Sequence, residues 1–170
     1  MSMELEDQLD KLFYPETVAV IGTSRSKGKI GNQVLRNLLY GNHDCYIYPV
    51  NPKAKKILGM KCFPSVLEVP GDVDLAVIVV PAKAVPKVME ECSRKKITGT
   101  VIISSGFSEI GRKDREEEIK NIASHGDMRV IGPNTVGIIN TSICMNASFV
   151  STMPLAGEIA FITQSGALGE

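Results

Sequence analysis

The sequence has no tryptophan, and its aromatic residues amount to only 5% of 170 positions. With so few rings the interior must be aliphatic, as it is in parallel sheets covered by helices. A surface that stacks nucleic-acid bases on interleaved aromatics has almost nothing to be built from. No apolar run approaches the roughly 18 to 20 residues that a bilayer span needs, and the acidic, amphipathic opening MSMELEDQLDKL is unlike a secretory leader. A cytoplasmic protein with no membrane contact is expected. Cysteine is sparse, and Cys45, Cys62, Cys92 and Cys144 form no C-x-x-C pair. That leaves neither a zinc site nor a disulfide framework, only thiols in a reducing compartment. Net charge is also missing, since 19 basic residues balance 19 acids. The two histidines, His43 and His125, stand in no Ser-His-Asp or Cys-His pattern, so no catalytic residue and no metal ligand is assigned within the chain.

What is present is unevenly placed. Residues 25–61 hold eight basic residues against one acid, Asp44, while the rest of the chain carries eleven against eighteen. A basic block inside a neutral protein points to a local polyanion site rather than to general nucleic-acid affinity. The block begins inside the stretch that organises the chain, TVAVIGTSRSKGKIG at residues 17–31. Here an apolar run breaks at Gly22 into a polar loop, and an amphipathic segment with Ile30, Val34, Leu35, Leu38 and Leu39 follows. This is the first β-loop-α unit of a nucleotide-binding sheet. Unpaired N–H groups and the helix dipole at such a loop favour a phosphate, and Arg25, Lys27 and Lys29 add full charges. The glycines Gly22, Gly28 and Gly31 are spaced G-x5-G-x2-G, so the dinucleotide fingerprint G-x-G-x-x-G is not met.

Further apolar runs at 45–50, 74–80, 100–103 and 128–131 alternate with helical spacing at 85–92 and 113–125. A short helix over Leu5, Leu9, Leu12 and Phe13 precedes them, stopped by Pro15. Five strands alternating with helices predict an α/β fold, a doubly wound parallel sheet of Rossmann-like form with strand order 3-2-1-4-5 and its switch point between strands one and four. This domain is expected to span residues 1–140. Residues 141–157 lose periodicity and read as a linker. Residues 158–170 read as the truncated start of a second α/β domain, with a strand at 158–163 and a turn into a helix.

Ligands of such sheets bind at the carboxyl ends of the strands. After strand two an NAD enzyme places Asp or Glu for the ribose hydroxyls, whereas this chain has Asn51, Pro52 and Lys53. An ammonium at Lys53 would instead pair with a phosphate on the ribose. A ligand with both a pyrophosphate and a ribose phosphate fits: coenzyme A, or less well NADP. Glu109, after strand four, reads as a solvated loop carboxylate or a helix N-terminal charge.

Five ordered motifs, VAVIGTSRSKGKIG, YPVNPK, VIISSGFSEIG, RVIGPNTVGIIN and FITQSGALG, resemble the coenzyme A-binding domain of ADP-forming acyl-CoA synthetases, relatives of the succinyl-CoA ligase α subunit. The resemblance implies contacts to coenzyme A phosphates from Ser24, Arg25, Ser26 and Lys27, and to the adenosine end from Lys53. It further implies that Ser104, Ser105 and Phe107 flank the adenine or pantetheine arm and that Asn134 lies near the thiol. The family often has cysteine after GPN where this chain has Thr135, so no role that needs a thiol there carries over. The implied reaction converts acid, coenzyme A and ATP into acyl-CoA, ADP and phosphate through an acyl phosphate and a phosphohistidine downstream of residue 170. The implied partners are coenzyme A, acyl-CoA and a nucleotide-binding ATP-grasp domain or subunit, in an oligomer. Two alternatives stand beside it: a synthetase-like regulatory region of a protein lysine acetyltransferase, and an NAD(H)-binding redox sensor.

Overall fold

Each central strand is apolar at successive positions because both of its faces are covered. In the computed structural model, which describes residues 4–165, the chain runs α1 (Leu5–Phe13), β1 (Thr17–Ile21), α2 (Ile30–Tyr40), β2 (Tyr46–Val50), β3 (Lys56–Ile57), β4 (Met60–Lys61), β5 (Leu75–Ile78), α3 (Val85–Arg94), β6 (Gly99–Ile102), α4 (Lys113–His125), β7 (Arg129–Ile131), β8 (Gly137–Asn140) and β9 (Met145–Ser148). Side chains alternate along the strands. Val18, Val20, Leu75, Val77 and Val101 pack with Val34, Leu35 and Leu38 of α2 and with Leu12 of α1. Ala19, Ile21, Ala76, Ile78 and Ile102 pack with Met89 and Cys92 of α3 and with Ile119 and Ala123 of α4. Two apolar layers on the two sides of one parallel sheet are the doubly wound architecture expected from the sequence.

The strand order is β2-β1-β5-β6-β7, which corrects the expected 3-2-1-4-5. The third long strand, β5, pairs with β1 on the side away from β2, so the switch point lies between β1 and β5 rather than between the first and fourth strands. The physical reason is in β2. Pro49 lacks an N–H, and a proline is accommodated at a sheet edge. Its carbonyl accepts from Phe63 N at 2.9 Å, so its nitrogen also faces the outer edge and no ladder bond to β1 is lost. All four residues of β5 are fully buried, as an interior strand requires.

Two small hairpins complete the unit. The pair β3-β4 sits beyond the edge of β2, where Val50 bridges Phe63. The pair β8-β9 packs on α2, with Asn37 Nδ2 donating to the carbonyls of Ser148 and Val150 at 2.8 Å each. Met145 and Ala147 are completely buried in the α2-side core. Residues 141–150, expected as part of a linker, therefore belong to the packed domain. Residues 151–165 are exposed, and the strand expected at 158–163 does not form, with Ile159 and Ile162 more than nine-tenths exposed. An isolated strand has no partner to satisfy its backbone groups. The end of the FITQSGALG motif, from residue 166 on, lies outside the described residues.

Candidate functional site

The loops that follow the strands lie along one rim in the order of the sheet: 51–53, 22–29, 79–84, 104–107 and 132–135. Two glycines close the 22–29 loop onto the sheet. Gly22 has φ +98°, and a Cβ there would meet the Val79 carbonyl oxygen at 2.7 Å. A Cβ on Gly31, in the first turn of α2, would run into the Gly22 carbonyl oxygen. The helix therefore starts in direct backbone contact with the end of β1. Its N-cap is Lys29, with no side-chain hydrogen bond and no acid in the first turn. The positive end of the helix faces the loop with no side-chain acceptor; of the first amides, Asn32 N is taken by the Lys29 carbonyl at 2.9 Å. Arg25, Ser26, Lys27 and Lys29 are exposed around it, and Ser24 is half-buried with its hydroxyl accepting from Ser26 N at 3.1 Å.

Three polar side chains to which the sequence assigned no role hold this loop. Asn32 is nearly fully buried and donates through Nδ2 to the Ser24 carbonyl at 2.7 Å. Thr23, fully buried, donates to the Val50 carbonyl at 3.2 Å. Asn51 donates through Nδ2 to the Thr23 carbonyl at 2.6 Å and accepts from Lys53 N at 2.8 Å. The loop carrying Lys53 is thereby tied to the loop carrying Arg25, and the Lys53 side chain is exposed. The available signal was polar residues inside otherwise apolar or turn-forming stretches, which is where buried hydrogen bonds are spent on positioning.

At the other end of the rim, Ser104 donates to the Val80 carbonyl at 2.6 Å, and its own carbonyl accepts from Asn134 N at 3.0 Å. Asn134 is exposed in a left-handed conformation, φ +57°, and Thr135 Oγ1 accepts from Gly137 N at 3.4 Å. Ser105 is exposed. Phe107, expected to flank the ligand, is completely buried in the core layer under α3 and α4; its side chain anchors the loop from below. Glu109 turns back and accepts from Gly106 N and Phe107 N. The Gly106 amide, foremost, holds its carboxyl below the usual range, which suits a fixed anion and not a proton acceptor. His125 is exposed at the end of α4, and His43 is half-buried in the turn before β2. Neither reaches the rim loops.

Among the described residues no cluster of three or more metal-ligating side chains is assembled. No helix there is long and apolar enough to cross a membrane. The model of the family described as "CoA binding domain" matches residues 16–141, most of the chain. The chain belongs to this CoA-binding domain family. The domain is 50% identical over 161 residues to an ADP-forming acetate-CoA ligase I of Archaeoglobus fulgidus, covering 94% of this chain and 23% of that protein. It is 46% identical over 167 residues to the α subunit of an ADP-forming acetate-CoA ligase I of Pyrococcus furiosus, covering 95% of this chain and 36% of that subunit. A solved dinucleotide forming acetyl-coenzyme A synthetase 1 of Ca. Korarchaeum cryptofilum, in complex with phosphate and ADP, superposes with a TM-score of 0.92 and 44% identity, over 95% of this chain and 35% of that one. The CoA-binding domain described here thus spans between 23% and 36% of the length of these relatives.

Proposed function

We propose that this CoA-binding domain serves an ADP-forming acyl-CoA ligase, in which acid, coenzyme A and ATP are interconverted with acyl-CoA, ADP and phosphate. The observation that carries the reading is the open, uncapped start of α2 at the switch point, ringed by Arg25, Lys27 and Lys29. A pyrophosphate placed there meets backbone N–H groups, the helix dipole and three cations at once. Ser24, Arg25, Ser26 and Lys27 are assigned to those phosphates and Lys53 to the phosphate at the adenosine end. Ser104 and Ser105 are assigned to the adenine or pantetheine arm, and Asn134 to the neighbourhood of the thiol. Phe107 is withdrawn from the contact set because it is buried.

The domain's part in the reaction is to fix coenzyme A so that its thiol is delivered to an activated acyl group formed elsewhere in the protein. The similarity to a subunit and to longer ligases supports a phosphohistidine-bearing second domain beginning near residue 158, an ATP-grasp nucleotide-binding part and an oligomeric whole. Four free thiols suit a reducing cytoplasm. Of the alternatives, an NAD-binding sensor lacks the carboxylate after β2, and the relatives named above carry ligase names rather than transferase ones.

Calorimetric titration of the chain with coenzyme A, dephospho-coenzyme A, NAD and NADP tests the proposal. Coenzyme A is expected to bind, with a clear loss for the dephospho form and abolition by Lys53→Glu. Binding of NAD in its place would overturn it.

A further inference from the structure

The hairpin β3-β4 goes against local preference in two ways. Its first and last residues, Lys56 and Lys61, are register partners, so two exposed ammonium groups stand opposite each other on one face. Like charges in that relation destabilise a hairpin. Its turn places Leu58 at φ +48° ahead of Gly59 at φ +83°, where asparagine or glycine is the residue that fits. Neither lysine is in an ion pair among the described residues, and no acid occurs between Asp44 and Glu68 in the sequence.

The hairpin is nevertheless firmly built. Ile57 is buried in the α2-side core, Cys62 N donates to the Lys55 carbonyl at 3.0 Å and Asn51 N to the Phe63 carbonyl at 2.8 Å. Lys61 Nζ lies 4.8 Å from the centre of the Phe63 ring, which holds the ammonium in place by a cation–π contact. Lys56 is three residues beyond Lys53, so their Cα atoms are at most about 11 Å apart. Lys53, Lys56 and Lys61 thus all stand exposed in the one connection that follows β2.

We propose that Lys56 and Lys61 form the outer half of a site for a phosphate monoester on the ribose of the bound nucleotide, and that this pair adds to Lys53 in setting the preference for coenzyme A over its dephospho form. The inference rests on the coenzyme A reading above. A phosphomonoester carries about −1.5 to −2 charges at neutral pH and answers two fixed cations. A pyrophosphate diester has a single charge per phosphorus and is already served at α2. The repulsion between the two lysines in the free protein is relieved when the dianion lies between them, so the unfavourable pairing becomes part of the discrimination.

The test is titration of the wild-type chain and of the Lys56→Ala/Lys61→Ala variant with coenzyme A, dephospho-coenzyme A and inorganic phosphate, at low and high salt. Coenzyme A binding is expected to weaken by roughly tenfold in the double variant while dephospho-coenzyme A changes by less than about twofold. The wild-type preference is expected to shrink as salt rises. The variant is expected to unfold close to the wild-type temperature, because a repulsive pair and the Lys61–Phe63 contact are removed together, and that midpoint is measured so that a loss of binding is not read from a loss of fold. If coenzyme A binds and the variant weakens both forms equally, or neither, the hairpin inference is overturned while the coenzyme A reading stands. A loss confined to inorganic phosphate overturns it in favour of a free-phosphate site. Absence of coenzyme A binding to the wild type overturns both.

Discussion

Glu109 shows how far a single residue can be read from sequence. As a carboxylate after the fourth long strand it is compatible with catalysis, with solvation or with a helix N-terminal charge, and only geometry separates these. Its oxygens accept from Gly106 N and Phe107 N, and Arg115 Nη1 donates to the Gly106 carbonyl at 2.8 Å. The loop is closed from within by its own acid. Because the folded-state pKa is depressed, the stabilisation is present above the unfolded value of about 4.3 and is lost as pH falls through the folded value. Glu109→Gln is therefore expected to narrow its stability deficit relative to wild type as pH is lowered from 6 to 3.5, read from thermal midpoints at each pH. A deficit that does not change with pH would remove the capping role. Phe107, two positions earlier, was legible as apolar but not as inward-facing, because the reversal at Gly106 that turns it under the loop is a backbone event with no periodicity. The place of Lys53, exposed in the loop after the second strand, was legible from the end of that strand's apolar run. Asn51, which aims that loop, was not, because its partner lies 28 residues away.

At the scale of elements, the long strands and helices were readable because period and length agree, and the strand order was not. The topology turns on which side of β1 the chain re-enters, and the connection from residue 51 to 74 carries a hairpin and a single 3-10 turn (Val66–Glu68) in place of a helix. The clue was Pro49, which confines β2 to an edge. The hairpin β8-β9 escaped notice because its strands, GIIN and MNAS, are four residues each and mix apolar residues with Gly, Asn and Ser. Its importance is plain from burial: Met145 fills the α2-side layer at zero exposure. Met145→Ala is expected to lower stability by about 2 to 5 kcal/mol, measured as a shift in the urea midpoint. A flexible connector at this position would give a shift near zero.

For the whole molecule the deepest probe is Cys92, which has no exposed surface and lies between α3 and the sheet. Burial pushes its thiol up to about 12, so at pH 8 Cys92 is not a thiolate in the folded protein and its alkylation must wait for opening. The linkage has a definite sign. Folding favours the protonated thiol, so its contribution is complete below the unfolded value near 9 and declines as pH rises toward 12. At pH 8 the labelling rate of Cys92 then follows the equilibrium population of unfolded chain when reclosing outpaces alkylation. A ligand held only by the folded rim must lower that population. At coenzyme A equal to 100 times its dissociation constant the stabilisation is about 2.7 kcal/mol, and Cys92 labelling is expected to slow roughly a hundredfold. Mass spectrometry of the half-buried Cys144 in the same samples gives the contrast, since local opening exposes that thiol without unfolding the sheet. Equal slowing at both thiols would mean that the domain opens only as one unit. No slowing at Cys92 would mean that coenzyme A does not engage the folded domain, since any ligand of the rim loops is coupled through β1 and β5 to the layer in which Cys92 is buried.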